Sequence, residues 1–216
     1  MILIVNFKTY ENGTGAKALA LAKICNAVAK KTKSNIAIAV QSVDIAQISK
    51  NVSIPVLAQH VDAIDFGAHT GWSLPESIKE AGAIGSLINH SELRVPENLI
   101  KQSIARLRTL GLISVVCAAN PSEEQSLAML KPDMLAIEPP ELIGGKISVS
   151  KAKPEVIYNS VINAHGIPVL CGAGIHSADD VKKALQLGAK GILVASSIVN
   201  AKDPRKVLID LVRNLQ

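Results

Sequence analysis

Aromatic side chains are scarce: two Phe, two Tyr and one Trp in 216 residues, or 2% of the chain. Binding of single-stranded nucleic acid depends on aromatic platforms for the bases, so the formal charge of +5 does not read as a nucleic-acid footprint. The basic residues are also dispersed, as Lys30, Lys31 and Lys33, Lys182 and Lys183, and Lys202 with Arg205 and Lys206. Such a spread suits solvated helix faces, and the surplus suits a small anionic ligand. Three cysteines, Cys25, Cys117 and Cys171, are an odd number without metal spacing, which predicts reduced thiols buried as small hydrophobes. With neither an apolar leader nor a long apolar run, the expectation is a cytoplasmic protein with no membrane span. The five histidines, His60, His69, His90, His165 and His176, lie in unrelated segments without a carboxylate cluster at ligand spacing, so no metal is expected. A dinucleotide fingerprint and a Ser-His-Asp signature are missing too, and no cofactor is expected.

What is present is apolar and regular. The chain is 48% hydrophobic and only 19% charged, with a mean hydropathy of +0.29. Either both faces of a sheet are buried or part of the exterior is covered by a partner. The length fits one domain spanning residues 1–216. Eight short apolar runs, at 2–6, 35–40, 55–59, 85–89, 113–118, 133–138, 167–172 and 191–196, are mostly continuous, as in strands buried on both faces. Amphipathic helical patterns alternate with them at 15–33, 97–110, 122–130, 153–164, 178–187 and 204–215, with shorter ones at 43–50 and 74–81. Eight βα units in series predict a compact α/β fold, a closed (β/α)8 barrel. An open doubly wound sheet is the competing architecture.

In such a barrel, chemistry sits at the C-terminal ends of the strands. The first run ends in Asn6, Phe7 and Lys8. Asn6 and Lys8, two apart, share a direction in extended chain. Lys8 either begins a surface loop or supplies a fixed ammonium to an anionic substrate and its developing oxyanion. The fourth ends in Asn89, His90, Ser91 and Glu92, where His90 is either a satisfied polar residue or a neutral hydrogen-bond donor beside a helix start. The sixth ends in Glu138, followed by Pro139, Pro140, Glu141, Leu142, Ile143, Gly144, Gly145 and Lys146. One reading is a strand-terminal Glu paired with a surface Lys before a long loop. The other is a general base under a lid, with prolines stiffening one end and glycines shaping the rest. Gly172, Ala173 and Gly174 after the seventh run, and Ala195 and Ser196 after the eighth, suit a phosphate cradle.

Taken in order, these segments resemble the triosephosphate isomerase family, specifically its short archaeal branch. The similarity lies in Asn6 to Lys8, Ala58 to His60, Gly67 to Gly71, Asn89 to Glu92, Ile137 to Gly144, Cys171 to Gly174 and Leu193 to Ser196, which cover nearly the whole chain. The resemblance implies a cofactor-independent aldose-ketose isomerase acting on triose phosphates. It implies Glu138 as base, His90 as electrophile, Lys8 and Asn6 as anion stabilisers, and Glu92 as a carboxylate near the lysine. It further implies Gly144 as a lid contact to phosphate, with Gly172 to Gly174, Ala195 and Ser196 as the remaining contacts. Thr70 corresponds to a residue that reaches into a neighbouring subunit, implying a homodimer or homotetramer, and Trp72 in the same loop reads as an interface anchor or as local packing. The chain departs from many non-archaeal members in having Cys171 and Gly174 after the seventh run, and Gly144, Gly145 and Lys146 in the lid. A metal-dependent sugar-phosphate epimerase and a non-catalytic phosphosugar-binding barrel are the competing functions.

Overall fold

The computed structural model describes residues 1–139 and 148–215. Eight strands close into a parallel barrel in sequence order. They are β1 (Ile2–Asn6), β2 (Ile36–Val40), β3 (Val56–Ala58), β4 (Gly85–Ile88), β5 (Ile113–Ala118), β6 (Met134–Ile137), β7 (Val169–Cys171) and β8 (Gly191–Val194). Closure comes from β1 pairing with β8, Ile4 opposite Leu193. The closed barrel excludes the open doubly wound alternative.

Side-chain alternation along the strands divides the core in two. Ile4, Leu57, Leu87, Val115, Leu170 and Leu193 fill the interior with the small Ala37, Ala39, Cys117 and Ala136. Their neighbours Leu3, Val5, Ile36, Ile38, Leu135 and Ile137 pack outward against the helices. Both faces of each strand are therefore buried, which is why the sequence shows unbroken apolar runs.

The outer layer consists of α1 (Gly15–Thr32), α2 (Ser42–Ser49), α3 (Pro75–Glu80), α4 (Glu97–Thr109), α5 (Pro121–Ala128), α6 (Val149–Ala152), α7 (Pro154–Asn163), α8 (Ala178–Gln186), α9 (Ser196–Val199) and α10 (Pro204–Val212). Half of the ten described helices have a local starting signal. Pro stands in the first turn of α3, α5, α7 and α10, where its missing N–H has no intrahelical acceptor to lose. Asn120 caps α5 by accepting from the Glu123 N–H at 2.9 Å, and Ser177 with Asp180 closes a capping box on α8. The four-residue α6 and α9 are too short to leave a hydrophobic period, so sequence patterning predicts neither as a separate element.

Several predicted strands stop a residue or two early, and the backbone turns at or just past their C-terminal ends. Asn89 leaves β4 with φ +60, and Ala173 after β7 has φ +68. Lys8, just past β1, has φ +48. Left-handed backbone costs a residue with a Cβ about 1–2 kcal/mol. Such conformers persist where surrounding contacts fix them, commonly at functional sites.

Candidate active site

A cavity of about 230 Å³ opens at the C-terminal end of the barrel. This is below the roughly 300–1,000 Å³ of sites for drug-sized ligands, so it suits a molecule of few heavy atoms. Asn6, Lys8, His90, Glu92 and Glu138 line it together with Ala173, Gly174, Ala195 and Ser196. Strand ends far apart in sequence thus converge in one pocket.

Glu138 directly follows β6. Its N–H donates to the Ala118 carbonyl at 2.9 Å, continuing the ladder with β5. This fixes the backbone of the carboxylate, which is only 6% exposed. Gly172 lies beneath it rather than lining the cavity. A Cβ at Gly172 would stand 2.4 Å from Glu138 Cγ and 2.9 Å from its Cδ and Oε1. The glycine leaves the space that the Glu138 side chain occupies. Cys117, one of the side chains filling the barrel, also approaches Glu138. Burial, then the charge of Glu138, pushes the Cys117 thiol well above its usual range, so it stays protonated.

The tautomer of His90 follows from its neighbours. The Glu92 N–H donates to Nδ1 of His90 at 3.2 Å, so Nδ1 must present a lone pair and the proton of a neutral ring sits on Nε2. Nε2 points toward Oε2 of Glu138 at 3.5 Å, too long for a good N–H···O bond. Both atoms are buried, and neither has a hydrogen-bond partner among the described residues.

Asn89 holds the backbone that presents His90. Its NH2 group donates to the Cys117 carbonyl at 3.0 Å and to Glu123 at 3.2 Å, while its Oδ1 accepts from the Val95 N–H at 3.2 Å. Glu123 in turn accepts from Arg94 at 2.9 Å and from the Ala119 N–H at 2.7 Å. Glu123 sits in the first turn of α5, so β4, β5 and α5 are joined immediately behind His90.

Lys8 extends over the cavity to Glu92, with Nζ 2.7 Å from Oε1. The lysine side chain is 10% exposed and the glutamate 59%, so the ammonium is held at the pocket's edge by a carboxylate that remains largely in solvent. The Lys8 N–H donates to Asn6 Oδ1 at 3.0 Å, which leaves the Asn6 NH2 group as a donor. Opposite them, Ala195 precedes α9, whose first backbone acceptor bonds reach Ile198 and Val199. The N–H groups of Ser196 and Ser197 open that helix and have no intrahelical acceptor.

A fixed ammonium, an imidazole N–H and a carboxylate oxygen with no partner among the described residues, and a wall of small residues where a helix opens, thus surround one small cavity. This set can bind an anion at one end and move a proton at the other. The sequence matches the family model described as Triosephosphate isomerase over residues 1–215. The chain belongs to the triosephosphate isomerase family.

Curated members are similar along nearly their full length. The triosephosphate isomerase of Methanobacterium bryantii is 51% identical over 99% of this chain and 96% of its own. That of Methanothermobacter thermautotrophicus is 51% identical over 98% and 94%, and that of Archaeoglobus fulgidus 50% over 98% and 96%. The similarity to the archaeal branch of the family is therefore broad and not confined to the pocket.

Of the stretch expected to form the lid, Pro139 is described and follows Glu138 directly. Pro140, Glu141, Leu142, Ile143, Gly144, Gly145 and Lys146 lie outside the described residues. The chain resumes at Ser148, whose hydroxyl donates to Asp180 at 2.8 Å. Asp180 also accepts from Lys151 at 2.8 Å and from the N–H groups of His176 and Ser177 at 3.1 and 3.0 Å. Burial alone would raise its pKa. Lys151 and these donors outweigh it and bring the carboxyl to about 2.

Thr70 and Trp72, expected between subunits, stand on the exposed loop joining β3 to α3. Trp72 is 55% exposed and Phe66 77%, while the His69 and Trp72 rings meet in a tilted contact with centroids 6.0 Å apart. Among the described residues no group of three His, Cys, Asp or Glu is arranged to hold a metal ion. No described helix is long and apolar enough to cross a membrane.

Sequence reasoning missed Gln59, Glu123 and the fit of Gly172 under Glu138. The first two act through the backbones of their neighbours, and although Gln59 stands within the Ala58 to His60 match, nothing local shows what it holds. The Gly172 fit depends on a side chain from the adjacent strand.

Proposed function

We propose that this protein interconverts D-glyceraldehyde 3-phosphate and dihydroxyacetone phosphate through an enediolate, in glycolysis and gluconeogenesis. One observation carries the reading: the Nε2–H of a neutral His90 faces Oε2 of Glu138 at 3.5 Å, both buried and neither paired within the described protein. Unpaired buried polar atoms are costly. A substrate that accepts from one and yields a proton to the other removes that cost and exploits it.

Glu138, as carboxylate, takes a proton from the carbon next to the carbonyl. His90 donates to the carbonyl oxygen as its charge grows, and a neutral ring can do this without being acidic. The pairing of a neutral histidine with a glutamate base is carried over from the family's known chemistry. Lys8 and Asn6 stabilise the enediolate's negative charge. The proton of the adjacent hydroxyl is relayed by His90 to the former carbonyl oxygen, and protonated Glu138 returns its proton to the neighbouring carbon, which converts ketose to aldose with no net change in oxidation state and no cofactor.

The phosphate end is met by backbone around Ala173, Gly174, Ala195 and Ser196, with Gly144 contributing from the lid. Closure of the lid, residues 139–146, keeps water from an enediolate that would otherwise lose phosphate. The enzyme acts as a single catalytic domain in a cytoplasmic homodimer or homotetramer, and the exposed loop with Thr70 and Trp72 supports contact with a second subunit.

Turnover in D2O tests the proton-transfer step. A proton held on a carboxyl group exchanges with solvent, so product is expected to carry deuterium at the carbon that receives it, seen by proton NMR. Complete retention of the substrate's hydrogen, as in a hydride shift, or the lack of any turnover, would contradict the proposal.

A further inference from the structure

Lys8 adopts a backbone conformation that its own side chain does not favour, so something must hold it. Asn6 takes its N–H. Its carbonyl accepts from Nε2 of Gln59 at 3.0 Å, and the same nitrogen donates to the Ala39 carbonyl at 3.2 Å. An amide NH2 has two hydrogens, and each has an acceptor here. Gln59 follows β3, Ala39 lies in β2 and Lys8 follows β1, so one side chain spans three adjacent strand ends.

We infer that Gln59 is a positioning residue for Lys8: by pinning the Lys8 carbonyl while Asn6 pins its N–H, it sets the direction in which the ammonium enters the pocket. Gln59 is not among the residues lining the cavity, so it acts through Lys8. The chemistry at position 59 is restrictive. Both acceptors are carbonyl oxygens, so a carboxylate would oppose like partial charges, and an apolar side chain would remove the donor that holds the Lys8 carbonyl, while the Ala39 carbonyl would keep the Phe7 N–H at 2.9 Å. The inference rests on the proposed role of Lys8 in binding and stabilising the anionic substrate.

The test compares Gln59→Met, of similar length but without donors, with Lys8→Met and with the double variant. If Gln59 works through Lys8, Gln59→Met lowers kcat/KM about tenfold or more alone but less than about twofold in the Lys8→Met background. A merely structural residue would give the same factor in both. Independently of activity, the Lys8 ε-methylene NMR signal, assigned by its loss in Lys8→Met, is expected to move in Gln59→Met toward the position of a free lysine. An unmoved Lys8 signal, or equal factors in the two backgrounds, overturns the inference. If wild type fails to turn over triose phosphates, the functional reading fails, and the NMR signal alone still decides whether Gln59 positions Lys8.

Discussion

Replacing Gly172 by alanine should disable the enzyme without unfolding it. The added Cβ would lie 2.4 Å from Glu138 Cγ and 2.9 Å from its Cδ and Oε1, whereas carbon atoms rest at about 3.5–4.0 Å. Glu138 must therefore retreat by about 1 Å, and a displacement of that size at a reacting group costs on the order of 10²-fold in rate, or about 2.7 kcal/mol in the barrier. Gly172 does not need the left-handed backbone that some other glycines here adopt, so alanine adds no conformational strain and the effect is steric. The loss should fall on kcat, with KM changed little, because the lysine and the phosphate-facing backbone stay in place. A coupled assay in which a dehydrogenase consumes the product reads kcat, and thermal unfolding by circular dichroism checks the fold. Turnover within about threefold of wild type in Gly172→Ala would refute the reasoning that Gly172 makes room for the carboxylate proposed as the base.

Glu124 should make stability depend on pH. It is fully buried between α5 and α7, with neither oxygen paired in good geometry, and burial, partly countered by nearby Ser160, raises its pKa to about 7. The folded protein then holds a proton that the unfolded chain releases, so this contribution is complete below the unfolded value near 4.5 and is lost as pH rises through about 7. Glu124→Gln should therefore gain stability over wild type on going from pH 5 to pH 8, by on the order of 3 kcal/mol, and parallel melting curves across that range would count against it. Lys8→Met should lose both affinity and rate if, as proposed, one charge serves substrate and enediolate, and a change confined to KM would assign Lys8 to uniform binding alone. If the loop joins subunits as proposed, Trp72→Ala should weaken that association, read as a concentration-dependent shift toward smaller species in analytical ultracentrifugation; an unchanged distribution would count against the proposed role of Trp72.

The barrel was readable because its physics is repetitive. Strands buried on both faces become continuous apolar runs such as 113–118, and the right-handed crossover leaves one way to arrange eight of them. Asn6, Lys8, His90, Glu92 and Glu138 stand out for a related reason: each is a polar residue at or just past the end of an apolar strand. What escaped the sequence depends on neighbours across strands. Nothing in the order Cys-Gly-Ala-Gly shows that Gly172 lies under Glu138. Gln59 looks like the end of a strand until three strand ends are brought side by side. Glu124 reads as one more acidic residue in a helix's first turn until α7 covers it.

The most direct test measures isomerisation of glyceraldehyde 3-phosphate by wild type and Glu138→Gln side by side, with chelator present throughout and folding verified for both. The account predicts rapid wild-type turnover unaffected by chelator and a loss on the order of 10³-fold in the variant, as expected for removal of a general base. A Glu138→Gln variant that turns over at near wild-type rate would contradict the assignment of the base, and a folded wild type that does not turn over would contradict the reaction itself.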